Sequence, residues 1–596
     1  METPCRAQPR RRSDLRVSAG GAAQWGSAAL RLVLEWAIFL AAALWITWPL
    51  AAHWASGLPL GCEDEPAVPL LNLWTQWWNI DRIHHFYGEY WRAPIFFPAA
   101  SAFAFSEPQP VSGIGAGLLH PLLPSPEAVY NSLLWIHLAL NGWCTCLMFR
   151  FWHCRWSGSV AAGLMVEWMP VLHWQLGIVQ LVPIWGVVLT LMFLLRFSHR
   201  PTALAGIGCG LSAAVTYLLC SYYGLMLGVL ILATLPILVR RRLLQPGQLR
   251  WIAAACFVAA LFAGPVIWGQ WQATRISPVI PPRELVAELS AHPLHFLRTP
   301  WPQWITIPGI PKPDRASPWA FSPGTAKLLL AALGVWQGVR RKPHRRRTLF
   351  WAALFGVSCA LAMGPTLALA GYGPHDLLVA VCPGYAQLRN IHRFATFAQL
   401  SLVVLAGLGL EYLLKCIALR AARLQLARGM QLRLAGSLAV VLVLVESLPS
   451  APRIFHSPAV PPACFTFIRQ RSHPTDVVAV FPMPQDNTLA EYRRTTLAMY
   501  WQMRHRRRML NGYSGLVPHE FLEREARLRS FPTPDTLAEL LQTGVDLVVV
   551  EPELVPDLLR LAQSERFRDA VQQEYLDGQG GVFRLRQPPR SDVGPP

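Results

Sequence analysis

Residues 58–110 read LPLGCEDEPAVPLLNLWTQWWNIDRIHHFYGEYWRAPIFFPAASAFAFSEPQP. They scatter the carboxylates Glu63, Asp64, Glu65, Asp81, Glu89 and Glu107 among a dense run of aromatic rings, from Trp74, Trp77 and Trp78 through Tyr87, Tyr90 and Trp91 to Phe96 and Phe97. On either side, residues 32–54 and 128–149 are apolar for about the length of a bilayer crossing. Amphipathic rings collect at membrane–water interfaces, and acids held there mark sites more often than linkers. The stretch therefore reads as an acid-bearing loop at a membrane face. Its carboxylates are candidates for chemistry on a lipid-borne substrate.

The rest of the composition agrees with a membrane setting. The 596 residues are 53% hydrophobic and only 15% charged, with mean hydropathy +0.31, well below the charge content of a soluble domain. A formal charge of +19 raises the question of nucleic acid. The Lys and Arg residues, however, cluster in short pieces between apolar runs, which is the pattern of cytoplasmic loops. Twelve Cys are scattered without a CxxC pair, zinc spacing or disulfide framework. Several, such as Cys144, Cys209 and Cys256, lie inside apolar runs, where a thiol packs as a small hydrophobe.

Further apolar runs follow at 158–172, 178–195, 203–219, 225–239, 251–271, 326–338, 349–370, 394–414 and 435–448, for about eleven spans in all. The first, preceded by the Arg-rich residues 1–28 and lacking a small-residue cleavage site, reads as an uncleaved signal anchor. Alternate gaps carry the cations: Arg150 and Arg155, Arg196 and Arg200, Arg240 to Arg242, Arg340 to Arg347, and Lys415 to Arg433. With positive residues inside, the tail 1–28 is cytoplasmic, and 29–450 is the membrane domain. The acidic loop 55–126, a Pro/Trp-rich loop 274–325 and residues 451–596 all fall outside. The expected location is a cell membrane that the chain crosses many times.

From residue 451 the composition becomes that of a small α/β domain. Residues 476–481 (DVVAVF) and 545–550 (VDLVVV) predict buried strands, 536–543 and 557–575 helices, and 582–585 a closing strand after the turn at Gly578, Gly580 and Gly581. Nucleotide-binding loops, zinc motifs and a G-x-S-x-G elbow are absent. Asn511-Gly512-Tyr513-Ser514-Gly515 lacks the residue needed between Ser514 and Gly515 and reads as a turn.

Three groups of residues carry candidate chemistry. In Glu63-Asp64-Glu65, mutual repulsion keeps one carboxylate protonated to higher pH, suiting it as a general base; the plain alternative is a solvated acidic loop. Asp81 beside Arg82 reads as an interfacial ion pair, and Glu107 as a second carboxylate. Glu167, inside the third run, needs a partner or a proton, and His173 and Gln180 flank the same outer gap; the plain alternative is structural hydrogen bonding. Arg389 and Arg393 are four apart just before the tenth run. If a helix starts early, they form a clamp for a phosphate at headgroup level; otherwise they are ordinary interfacial arginines.

The order of parts, together with LPLGCEDE followed by NLWTQWWN, AVYN at 128–131, Ser221-Tyr222-Tyr223-Gly224, PGYAQLRNIHRF and the late NGYSG with Pro518, resembles the GT-C superfamily of polytopic glycosyltransferases, in an uncharacterised bacterial branch. The resemblance implies transfer of a sugar from a polyprenyl-phosphate donor to a glycan, lipid or protein acceptor outside the membrane, with inversion. By position, Glu63 or Asp64 is then the base and Arg389 or Arg393 holds the donor phosphate. Asp81, Glu107, Glu167, His173, Gln180, Tyr222 and Tyr223 are left to hold the acceptor or support the site. The acidic motif departs from the family's Asp-centred form, and the next outer gap has His173 and Gln175 in place of a second acid. Divalent metal dependence therefore stays open. The rival readings are a flippase for a lipid-linked saccharide and a non-catalytic component of envelope polysaccharide assembly.

Overall fold

A chain segment inside a bilayer must satisfy its own backbone hydrogen bonds, and the apolar runs do so as helices. A computed structural model describes all residues except 1–18, 62, 241, 242, 244, 279, 301–306, 308, 311–318, 369–371, 425, 447 and 587–596; the side chains of 19–28 and 426 also lie outside it. Most of the basic tail, the middle of the Pro/Trp-rich loop and Cys62 are thus outside the described residues.

In chain order come α1 (Ala19–Ile46), strand β1 (Gly57–Leu60), the loop helices α2 (Ala67–His84) and α3 (Pro110–Leu119), then α4 (Pro126–Phe151), α5 (Trp156–Glu167), α6 (Pro170–Trp174), α7 (Trp185–His199), α8 (Ala203–Leu219), α9 (Ser221–Leu238) and α10 (Pro246–Ile276). The short α11 (Arg283–Glu288) precedes α12 (Thr325–Arg340) and α13 (Lys342–Ala362). The short α14 (Pro374–Val381) precedes α15 (Ala395–Ala421) and α16 (Leu426–Val445).

The expected apolar runs centre on these helices, although the helix of run 32–54 ends at Ile46 and that of run 349–370 at Ala362. Among the described residues, seven segments are long and apolar enough to cross a membrane by length and composition. The other runs lie in α5 with α6, α8, α12 and α13, which pack among those seven. Large apolar side chains face outward, as Phe257 (67% exposed) and Leu261 (57%) do on α10, a surface that suits lipid. The chain is a multi-pass membrane protein.

Small residues let the helices close up. A Cβ on Gly334 of α12 would lie 2.2 Å from the Leu405 carbonyl oxygen, and one on Gly409 of α15 would lie 2.0 Å from that of Leu330. Only glycine permits this crossing, the usual device where lipid tails compete equally for apolar side chains.

The run 158–172 is not one continuous helix. Pro170 has no N–H and biases Met169 to an extended conformation (ψ 125°), so α5 stops at Glu167 and the chain restarts as α6. The next run likewise begins with a 3-10 turn (Val179–Leu181) before α7. His173, Gln175 and Gln180 are consequently buried in an irregular connection at the end of the bundle.

After α16 come β2 (Arg453–His456), α17 (Ala463–Arg471), β3 (Val477–Phe481), α18 (Leu489–His505), β4 (Arg508–Met509), α19 (His519–Leu528), α20 (Pro534–Thr543), β5 (Leu547–Val550), α21 (Val555–Ala562), β6 (Val571–Asp577) and β7 (Gly580–Leu585). Five strands form one sheet in the order β4-β3-β5-β7-β6, parallel through β4, β3 and β5 and antiparallel beyond. The expected strands and the helix at 536–543 are present. The helix expected over 557–575 ends at Ala562, residues 563–570 turn, and the last five residues of the expected helix belong to β6: the hairpin across Gly580 gives the outer edge of β7 a hydrogen-bonding partner, which outweighs local helical periodicity.

This domain is not a detached cap. β1, just after α1, pairs antiparallel with β2, just after α16, so the first loop and the chain beyond the last helix share one face of the bundle. One apolar core runs from Ala43, Tyr130 and Leu138 of the bundle to Phe465, Trp501 and Leu547 of the domain. Within it the Trp74 indole of α2 donates to Gln502 Oε1 of α18 (2.8 Å).

Candidate active site beneath the α/β domain

The residues between β1 and α2 turn sharply against the α6–α7 connection: a Cβ on Gly61 would meet the Trp174 carbonyl oxygen at 2.6 Å. That turn sends the three adjacent acids in different directions. Glu65 approaches Arg493 of α18 at 3.8 Å. Asp64 is exposed and forms an ion pair with Arg453 of β2. Glu63 points inward and is half-buried, and its Oε2 has no hydrogen-bond partner among the described residues. The repulsion expected within the triplet is thus relieved by separate arginines. The candidate base narrows to Glu63, because Asp64 faces solvent.

Burial raises the Glu63 pKa, and the guanidinium groups of Arg393 and then Arg389 pull it part of the way back. Both arginines therefore act on a carboxylate more than three hundred residues earlier in the chain. They do not do so from one helical face. Gly384 (φ 82°) opens a 3-10 turn over Tyr385–Gln387, the chain then extends through Asn390, and a second 3-10 turn (Ile391–Phe394) leads into α15. Arg389 sits on the extended link and Arg393 in the second turn, so the i, i+4 helical clamp is replaced by an irregular one. His392 anchors it, with Nδ1 3.0 Å from the Leu289 carbonyl oxygen and its ring 4.0 Å from that of Trp319.

Arg393 stacks 4.7 Å above the Tyr222 ring and also acts on Glu107. Glu107 Oε2 accepts a hydrogen bond from the Ser221 backbone N–H (2.9 Å) at the start of α9, a favourable place for an anion. Burial still raises its pKa, against the lowering by Ser221, Arg393 and the Tyr222 backbone. Glu63, Glu107, Tyr222, Arg389 and Arg393 thus form one electrostatic cluster.

Other expected site residues lie elsewhere. Asp81 is bound to Arg82, with Nε to Oδ2 at 3.0 Å, and to Arg506 at 3.4 Å, an interfacial pair at the far end of α2. The Tyr223 hydroxyl donates to the Leu181 carbonyl (2.9 Å) and is spent on packing. His173 Nε2 meets the backbone oxygen of Glu167 (3.1 Å), while the Glu167 carboxylate lies against Gly142 and Phe39, between α4 and α1. His173 thus meets the Glu167 backbone and not its carboxylate. Gln180 is buried on its 3-10 turn, with Oε1 unpartnered among the described residues.

Two features were not legible in the sequence. Tyr513 of the α/β domain lies close enough to Glu63 and Arg389 for both charges to act on its hydroxyl, which burial and Glu63 push up to about 12. Its loop is held firmly: Ser514 Oγ donates to the Phe105 carbonyl (2.9 Å) and lies 2.7 Å from Ser106 Oγ, and Asn511 exchanges hydrogen bonds with the backbone of Val480. NGYSG had no catalytic spacing to betray it; its signals were the aromatic between two glycines and its place among the motifs of the GT-C resemblance, neither of which assigned Tyr513 to the site. Second, an apolar cavity of about 270 Å³ starts at Glu107 and Tyr222 and runs out between α10 and residues 383–388. Ile267 and Trp271, on the outward surface of α10, line its mouth. The Tyr217 hydroxyl donates to Gln270 (2.8 Å) inside it. A glutamine within a long apolar run was the available hint. Among the described residues no three His, Cys, Asp or Glu side chains group as a metal site.

No family model matches the chain, and no curated protein matches it. Among solved structures, the arabinofuranosyltransferase AftD from Mycobacteria superposes with TM-score 0.50 at 13% identity, over 93% of this chain and 40% of that one. The chain thus spans about two-fifths of the length of AftD. ArnT from Cupriavidus metallidurans aligns with TM-score 0.42 at 14% identity, over 94% of this chain and 98% of that one; a second ArnT structure is bound to undecaprenyl phosphate. The fold is GT-C-like.

Proposed function

We propose that the protein is a membrane glycosyltransferase that moves a sugar from a polyprenyl-phosphate donor to an acceptor hydroxyl on the face bearing the α/β domain, which the charge pattern places outside the cytoplasm. The observation that carries this reading is the meeting of Glu63 with Arg389 and Arg393: a carboxylate of raised pKa under the charge of two guanidinium groups, with Arg393 stacked on Tyr222, which lines the lipid-side cavity together with Glu107. In the proposed reaction Glu63 takes the proton of the acceptor hydroxyl as its oxygen bonds to the anomeric carbon. The bond from that carbon to the phosphate oxygen breaks on the opposite side, inverting the centre. Polyprenyl phosphate leaves as an anion, its charge met by Arg389 and Arg393. Tyr222 supports Arg393 from below, and Glu107 fixes the start of α9 behind it. The cavity toward α10 takes the first isoprene units, and Tyr513 closes the site from above.

The test uses purified full-length protein with a labelled polyprenyl-phosphate sugar and an acceptor mixture. Release of polyprenyl phosphate by the wild type, with loss of release in Glu63→Gln at unchanged membrane insertion, supports transfer. Intact donor delivered to the opposite leaflet identifies a flippase instead. Full activity in Glu63→Gln rejects the base.

A further inference from the structure

At the end of the bundle away from the α/β domain, α7 finishes at His199, α9 runs out toward Arg240 and α13 begins at Lys342. Between them opens a cavity of about 630 Å³ lined by His199, Arg240, Lys342, Arg345, Arg346 and Leu349, with Pro343 beside Lys342. Among the described residues no carboxylate lines it. Lys342, Arg345 and Arg346, three cationic side chains at one helix start, repel one another unless an anion enters. α13 also begins at this place, so the positive end of its dipole adds to the same field, while the backbone N–H groups of His344 and Arg345 are held by the Arg341 carbonyl. Arg346 keeps a buried Nη1 with no hydrogen-bond partner among the described residues.

The setting narrows the anion. Leu349, one turn into α13, is an exposed apolar side chain on the cavity wall, and Leu235 is exposed on the last turns of α9. An occupant must therefore bring negative charge to the cavity while its remainder lies against lipid-facing leucine. A free anion meets only the first demand; a phosphate carried on acyl chains meets both.

We propose that this cavity holds the phosphate headgroup of an anionic phospholipid at the membrane face opposite the active site. The assignment stands on the cavity alone and is independent of the sugar-transfer reading. Lys342, Arg345 and Arg346 supply the charge, and the positive end of the α13 dipole adds to it.

The test is lipid retention by full-length protein, delipidated in detergent and titrated with phosphatidylglycerol, phosphatidylcholine or inorganic phosphate, read by native mass spectrometry. Phosphatidylglycerol should be retained and phosphatidylcholine should not. Inorganic phosphate at equal concentration should fail to displace the lipid. The triple variant Lys342→Gln, Arg345→Gln, Arg346→Gln should bind roughly a hundredfold more weakly. The pair Arg428→Gln, Arg433→Gln, exposed cations on α16 outside the cavity, should bind as wild type does. Equal retention of phosphatidylcholine, displacement by phosphate, or equal loss in the α16 pair overturns the proposal. Should the triple variant not fold, the wild type decides: retention of phosphatidylglycerol that ignores molar salt overturns the assignment, and loss with salt supports it.

Discussion

Glu63, three residues beyond β1, and Arg393, two residues before α15, interact as carboxylate and guanidinium beneath the α/β domain, and Arg393 acts at the same time on Glu107. One cation lowers the pKa of both acids against the burial that raises them. Removing it takes away the largest influence that lowers the Glu63 pKa. Arg393→Gln should therefore shift the acidic limb of the pH–rate profile for sugar transfer upward, because the base stays protonated to higher pH. Arg389→Gln should shift it the same way by less. An unmoved limb in Arg393→Gln would remove Glu63 as the titrating base.

Asp64 differs from Glu63 by one position and by a complete change of surroundings. An exposed ion pair with Arg453 contributes about 1 kcal/mol or less. Asp64→Asn should keep transfer activity within about threefold of wild type and leave thermal stability nearly unchanged. A loss as large as that of Glu63→Gln would move the base to Asp64.

Tyr513 reaches the site only because Ser514 ties its loop to Phe105 and Ser106. Ser514→Ala leaves the Ser106 hydroxyl short of a buried partner and should cost about 1–3 kcal/mol in unfolding of the domain. It should also raise KM more than it lowers kcat, since the chemistry at Glu63 is untouched while the roof loosens. Melting in detergent and steady-state kinetics check both halves.

Glu525 lies buried on α19 beside the Tyr492 hydroxyl (3.3 Å) and Arg529 (3.6 Å), and burial raises its pKa. The folded state therefore binds its proton more tightly than the unfolded chain does. That contribution is complete below the unfolded pKa and is lost as pH rises through the folded value. Glu525→Gln should flatten this fall, so its stability relative to wild type improves from mildly acidic to neutral pH. A Tm difference that does not change over that range would refute the account.

Much of the architecture was legible because it is local. A run of apolar residues must become a helix in lipid whatever surrounds it, and alternate basic gaps follow from charge alone. The exceptions have local causes in part: Pro170 splits one run, and Pro383-Gly384 delays the helix expected to carry Arg389 and Arg393. The strand β6 has no such cue, since only the bare edge of β7 makes residues 571–577 extend.

By itself the sequence determined that this is a helical membrane protein with an acid-rich loop after its first helix, an arginine pair before its tenth run and a small α/β domain at its end. Hydrophobicity, charge and strand patterning act over a few residues and can be read there. Which of three neighbouring acids turns inward, that Tyr513 joins it, and that the lipid-side cavity begins at Glu107 and Tyr222 were decided only by the tertiary structure. Those outcomes depend on β1 pairing with β2 and on the core shared by bundle and domain, contacts between segments hundreds of residues apart.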